Sequence, residues 1–105
     1  MKTTQAVRAL AALAQDDRLK LYRLLVKAGP QGMPAGQLAR SSRMPAPTVS
    51  FHLAKLVAAD LAWSRKEGRF VIYGPDIAAM NRLLGYLTDE CCGGQPALCC
   101  PPGEQ

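Results

Sequence analysis

Apolar residues recur every three or four positions through the first sixty residues, shift to near-alternation, and then return to helical spacing. The first helix can be capped by Thr3 or Thr4 and carries Val7, Leu10, Leu13 and Ala14 on one face. A second follows Gln15, with Asp16 and Asp17 at its positive end. Its Leu19, Tyr22, Leu24, Leu25 and Val26 cover more than one face, and Gly29-Pro30 stops it. Gln31 to Met33 read as a loop, and Pro34 opens a short third helix through Ser42 that contains Leu38 and Ala39. Beyond Arg43 and Met44, the stretch Pro45 to Asp60 predicts a fourth helix. Val49, Leu53, Leu56 and Val57 form its apolar stripe, Thr48, Phe51 and Lys55 lie opposite, and Ser50 and His52 flank the stripe. Two short helices around a tight turn, the second polar outside, describe a helix-turn-helix. Many amphipathic helix pairs simply pack into cores, so spacing leaves that polar face as a reading surface or a solvated one.

From Leu61 to Tyr73 the period approaches two. Trp63 and Arg65 alternate with Ala62 and Ser64, Glu67-Gly68 supplies a turn, and Phe70 to Tyr73 form the returning strand. Gly74-Pro75-Asp76 then punctuates the chain and starts a last helix, with Ile77, Met80, Leu84 and Leu87 at near-heptad spacing. Past it, Gly93-Gly94 breaks any helix, and Pro96, Pro101, Pro102 and Gly103 predict an irregular tail. The fold class is therefore mainly α with one small β-hairpin. Residues 1–90 are expected to form the folded domain and 91–105 a cysteine-rich tail.

Composition adds direction. At 105 residues the chain is one domain of ordinary hydrophobic content, 49%, with no apolar run that could span a membrane. The short apolar stretch from Ala9 to Ala14 is bracketed by Arg8 and Asp16 and continues as helix rather than as a signal peptide, which predicts a cytoplasmic protein. The net charge of +5 is unevenly spread. Residues 1–39 and 40–69 each carry six basic and two acidic side chains, whereas 70–105 carry one basic and four acidic. A polyanionic partner suits this distribution, and so does a solvated surface. All four cysteines, Cys91, Cys92, Cys99 and Cys100, lie in the tail. A disulfide framework would spread them across the fold, so clustering favours a ligand site. Catalytic use would need a cation beside a thiol, but the tail offers Asp89, Glu90 and Glu104. An enzyme is not expected, and no catalytic cofactor is implied. The rival of that class is a thiol enzyme or metal carrier.

The run Pro47-Thr48-Val49-Ser50-Phe51-His52-Leu53-Ala54-Lys55-Leu56, followed by Arg65-Lys66-Glu67-Gly68-Arg69 and Tyr73, resembles the ArsR/SmtB family of winged-helix metalloregulators. There a Ser-x-His-Leu-x-x-Leu recognition helix precedes a basic Gly-Arg wing. The likeness covers roughly residues 5 to 88. It implies a winged helix-turn-helix that dimerises through its first and last helices and represses transcription by binding double-stranded operator DNA. Thr48, Ser50, Phe51, His52 and Lys55 become candidates for DNA contact on the helix, and Arg65, Lys66 and Arg69 on the wing. Soluble charge at the wing tip would also defend the hairpin edge.

Family members with a Cys-Cys pair and a later Cys beyond the last helix respond to arsenite. The similarity implies As(III), or Sb(III), as the inducer. Thiolate is a soft donor, and trivalent arsenic takes three sulfurs in a pyramid. Cys91 and Cys92 precede the flexible Gly-Gly pair, while Pro101 pushes Cys100 towards an extended conformation in which neighbours point to opposite sides. That selects Cys91, Cys92 and Cys99, with Cys100 as the alternative third ligand. The chain departs from other family patterns: the third helix lacks cysteine, and His52 is the only histidine. Zinc, cadmium or lead, or oxidation of the thiols, are the alternative signals.

Overall fold

A computed structural model describes residues 1–89. Five helices and three short strands follow in the order α1 (Thr3–Leu13), α2 (Asp16–Ala28), β1 (Met33–Pro34), α3 (Ala35–Ser42), α4 (Ala46–Ala58), β2 (Ala62–Glu67), β3 (Phe70–Pro75) and α5 (Ile77–Leu87). Helix α2 starts where the Gln15 side chain accepts from the Arg18 N–H and ends at Gly29, whose φ of 87° a side chain would resist. Asp16 and Asp17 in its first turn and Lys27 in its last complement the helix dipole. The core lies between α2, α3 and α4, where Leu21, Leu25, Leu38, Val49, Leu53 and Leu56 are fully buried, and Leu61 and Leu83 close it from the turn before β2 and from α5.

Helix α1 differs from its predicted orientation. Its buried residues are Ala6, Ala9 and Ala12, while Val7 and Leu10 stay exposed. Small side chains let α1 sit close against the core, and the larger ones are left for something else. Its start is capped at Lys2 rather than at either threonine, with the Lys2 N–H bonded to the Gln5 side chain.

The expected loop before α3 is partly a strand. Met33 and Pro34 pair with Tyr73 and Ile72, giving an antiparallel sheet in the order β1-β3-β2. Pro34 tolerates this because it sits on the sheet's edge, where a missing N–H costs little. Likewise β3 runs through Gly74-Pro75, opposite Trp63 and Ala62, instead of ending there. The Trp63 ring lies across Gly74, where an added Cβ would come within 2.0 Å of the indole. Gly74 therefore punctuates nothing; it clears space for an aromatic.

Candidate nucleic-acid interface

The turn that aims α4 is built from backbone conformation. Arg43 ends α3 in the left-handed region at φ 61°, its N–H bonded to the Arg40 carbonyl and that of Met44 to the Ala39 carbonyl. Pro45 then caps α4, and Pro47 occupies the first turn, where its missing N–H has no helical partner to lose. The other end closes at Asp60, φ 63°, with the Leu61 N–H reaching back to the Leu56 carbonyl.

Between these stops α4 sorts its residues sharply. Val49, Leu53 and Leu56 are buried. Ser50, Phe51 and Lys55 are exposed, Phe51 at 57%, and Thr48 is half-buried. Lys55 Nζ lies 5.3 Å from the Phe51 ring centroid, so cation and aromatic face outward together. This face offers a hydroxyl, an apolar edge and a positive charge, which are groups that meet base edges and phosphates in a major groove.

His52 does not join them. It is 7% exposed and faces α2, with Nδ1 3.3 Å from Arg18 Nη1 and Nε2 3.8 Å from Asp17 Oδ2. An arginine can only donate, so Nδ1 accepts and Nε2 carries its hydrogen towards Asp17. The expectation of a DNA-contacting histidine is corrected: His52 fixes how α4 sits on α2. Its place beside the apolar stripe was visible in the spacing; its partners, more than thirty residues away, were not.

The wing is the β2–β3 hairpin, turned by Gly68 at φ 60°. Arg65, Lys66 and Arg69 are all exposed. Arg65 is partly committed, because its Nε donates to Glu67 at 2.6 Å and its guanidinium lies 5.1 Å from the Trp63 ring centroid. Lys66 and Arg69 have no ion-pair partner among the described residues. Phe70, read from sequence only as a strand residue, is 64% exposed at the tip, and Arg43 is exposed in the turn before α4. Each belongs with the candidate interface. Strict alternation along β3 would have hidden Phe70, because it shares a face with the buried Ile72; it is exposed because it lies at the hairpin tip, beyond the core.

On α1 and α5 a second outward face has the opposite character. Val7 and Leu10 on α1, and Ile77, Leu84 and Leu87 on α5, are between 42% and 57% exposed. The two helices are neighbours, joined by a hydrogen bond between the Thr3 and Tyr86 hydroxyls. The stripe expected to serve dimerisation is thus outside the protomer core, apart from Leu13 and Met80, which pack against it.

Cys91, Cys92, Cys99 and Cys100 lie outside the described residues, as does the expected boundary at residue 90. Among the described residues no three His, Cys, Asp or Glu side chains converge to hold a metal, and no helix is long and apolar enough to cross a membrane.

Residues 13–62, from the end of α1 to the first residue of β2, match a family described as a helix-turn-helix domain. The nodulation protein NolR of Rhizobium meliloti is 32% identical over 80 residues, 76% of this chain. Those residues span 63% of NolR, so the chain covers less than two thirds of that relative's length. The transcriptional regulator HlyU of Vibrio vulnificus is 31% identical with a TM-score of 0.61, over 81% of this chain and 88% of HlyU. A homodimeric winged helix-turn-helix DNA-binding domain from Mycobacterium bovis, of a possible ArsR-family regulator, is 27% identical with a TM-score of 0.66. The similarity covers 88% of this chain and 85% of that domain.

Proposed function

The chain belongs to the ArsR/SmtB family of winged helix-turn-helix transcriptional regulators, whose members bind DNA, and on that premise we propose that it is a cytoplasmic, homodimeric repressor released from its operator by trivalent arsenic. Its family and fold are those of DNA-binding regulators, which are not enzymes. The observation that carries the reading is the pairing of two outward polar elements. Ser50, Phe51 and Lys55 on α4 and Lys66 and Arg69 on the wing are all exposed, while Val49, Leu53, Leu56 and Leu61 belong to one buried core. Two copies related by a two-fold axis would meet half-sites about one helical turn apart. The exposed Val7, Leu10, Leu84 and Leu87 supply an apolar surface for that pairing.

Support for the inducer comes from sequence alone. Cys91, Cys92 and Cys99 offer three soft sulfurs just beyond α5, and Cys100 a fourth. Closure of that set on arsenic would pull on the end of the proposed dimer helix, and binding tighter to one dimer geometry weakens DNA binding in the other. The same thiols would also serve an oxidation signal, so the two inducers are separated by experiment. Gel shift on the protein's own promoter, with arsenite, zinc and peroxide added separately, is the decisive assay. Ligand-free protein should retard the fragment, and arsenite alone should release it. Absence of any binding by ligand-free protein would overturn the repressor reading; release by peroxide alone would move the signal to thiol oxidation. Within the arsenic reading, Cys99→Ser should abolish release and Cys100→Ser should keep it. The reverse pattern would exchange the third ligand.

A further inference from the structure

Behind the outward face of α4, where α1, the start of α2 and the C-terminal half of α4 meet, lies a cleft of about 320 Å³ lined by Arg8, Arg18 and Lys55 over Ala11, Ala12 and Ala58. We propose that this cleft is a binding site for one phosphate-class oxyanion, either a backbone phosphate of bound DNA or free phosphate. For the first source the proposal rests on the DNA-binding reading above; for the second it does not.

Three observations converge on it. First, the two arginines are held by helix ends. Arg8 Nη2 donates to the Ala58 carbonyl at 2.5 Å and Arg18 Nε to the Ala12 carbonyl at 2.6 Å. One edge of each guanidinium is thereby pinned, and further N–H groups remain for a ligand. Arg18 is held again by His52, which itself approaches Asp17. Such anchoring lowers the ordering cost of binding.

Second, the charge is one-sided. No Asp or Glu lines the cleft. The carbonyl ends of α1 and α4 contribute roughly half a negative charge each. Against three full cations that leaves an excess of about two positive charges, which exceeds the single charge of a backbone phosphodiester and is close to that of free phosphate. Guanidinium forks suit its paired oxygens, and the Lys55 ammonium suits a third as a point charge.

Third, the floor is alanine. Side chains this small leave room that longer ones would fill, and they let the cations lean over a common space. Lys55 also stands beside Phe51 on the outward face, so the cleft opens at the edge of the proposed reading surface.

The test has two arms, with Arg8→Gln as the main variant, Arg8→Lys as its charge-retaining partner, and Arg82→Gln on α5 as a control for general charge. In the DNA arm, affinity for the promoter duplex is measured against chloride concentration. A backbone phosphate in the cleft predicts that Arg8→Gln lowers the salt slope by about one, while Arg8→Lys and Arg82→Gln keep it. In the second arm, inorganic phosphate is titrated into DNA-free protein at constant ionic strength, following guanidinium N–H signals by NMR. Free phosphate as occupant predicts saturable shifts at Arg8 and Arg18 that Arg8→Gln weakens at least several-fold. Either result supports the site and identifies its source. An unchanged slope together with no saturable response overturns it. So does an equal loss of slope in Arg82→Gln without a phosphate response, because general charge then explains the effect. If wild-type protein binds no duplex, the repressor reading fails, and the phosphate arm alone decides the cleft.

Discussion

The two outward faces of this protomer expose side chains of opposite chemistry. On α4 and the wing, what stays outside is Ser50, Lys55, Lys66 and Arg69 with two aromatics, Phe51 and Phe70. On α1 and α5 it is Val7, Leu10, Ile77, Leu84 and Leu87. Helices α4, α1 and α5 bury their inner sides, whereas the wing tip from Ser64 to Phe70 is exposed on both sides of the hairpin. The charged face can remain in water until a polyanion arrives. The apolar face gains about 1 kcal/mol for each half-exposed side chain that a second copy covers. Exposure alone therefore says little about function; the chemistry of what is exposed separates the faces.

The strongest way to break this contrast is to charge the apolar face. Leu84→Glu should leave the protomer folded, because the side chain is outside the core, but should abolish dimers in analytical ultracentrifugation. DNA affinity should then fall by at least ~100-fold, since the second half-site loses its effective concentration. A Leu84→Glu protein that still dimerises and binds DNA would place the interface elsewhere.

Next in size is the joint between Trp63 and Gly74. Gly74→Ala forces a methyl into the indole and should cost about 1–3 kcal/mol in chemical denaturation. The chain's single Trp gives a direct reading, because its fluorescence should change with the wing. DNA affinity should weaken while dimerisation persists, which would separate wing from interface. If stability and fluorescence remain those of the wild type, the ring does not bear on Gly74.

A smaller effect sharpens the charged face itself. Arg69→Ala should reduce the salt slope of DNA binding by about one, with sequence preference nearly unchanged. Arg65→Ala should do less, because Arg65 is already shared with Glu67 and Trp63. Equal slopes for the two variants would show that the Glu67 contact gives way when DNA binds.

The smallest effect lies beneath both faces. The Tyr22 hydroxyl is buried with no hydrogen-bond partner among the described residues, and burial, followed by the charge of Asp76, raises its pKa above the usual 10.0. The folded state then holds that proton more tightly than the unfolded state. Its contribution is fully present below the ordinary phenol pKa and is lost as pH rises through and beyond it. Tyr22→Phe should change neutral-pH stability by less than ~1 kcal/mol and should flatten the alkaline loss measured by thermal unfolding. An alkaline profile identical to wild type would show that Tyr22 does not control it.

Several features are legible in the sequence. Helical spacing placed α2, α3, α4 and α5 nearly as found, and Pro45 and Pro47 marked the start of α4 because first-turn N–H groups have no helical partners. The Glu67-Gly68 turn marked the hairpin, since a positive φ there favours glycine. Those signals are local, so local sequence could carry them.

Tertiary structure decided what local spacing left open. The apolar face of Val7, Leu10, Leu13 and Ala14 on α1 could have faced the core, but Ala6, Ala9 and Ala12 allow closer approach and turn Val7 and Leu10 outward. Met33-Pro34 became a strand only because β3 lies beside it. Gly74 reads as a breaker until Trp63, eleven residues earlier, lies across it. His52 sits in the recognition motif, yet Arg18 and Asp17 from α2 hold it inward. The sequence by itself determined the helices and the hairpin, the reading motif and the clustered thiols. Which side of each element faces water depended on partners far along the chain, because packing and long-range hydrogen bonds are settled only when the elements meet.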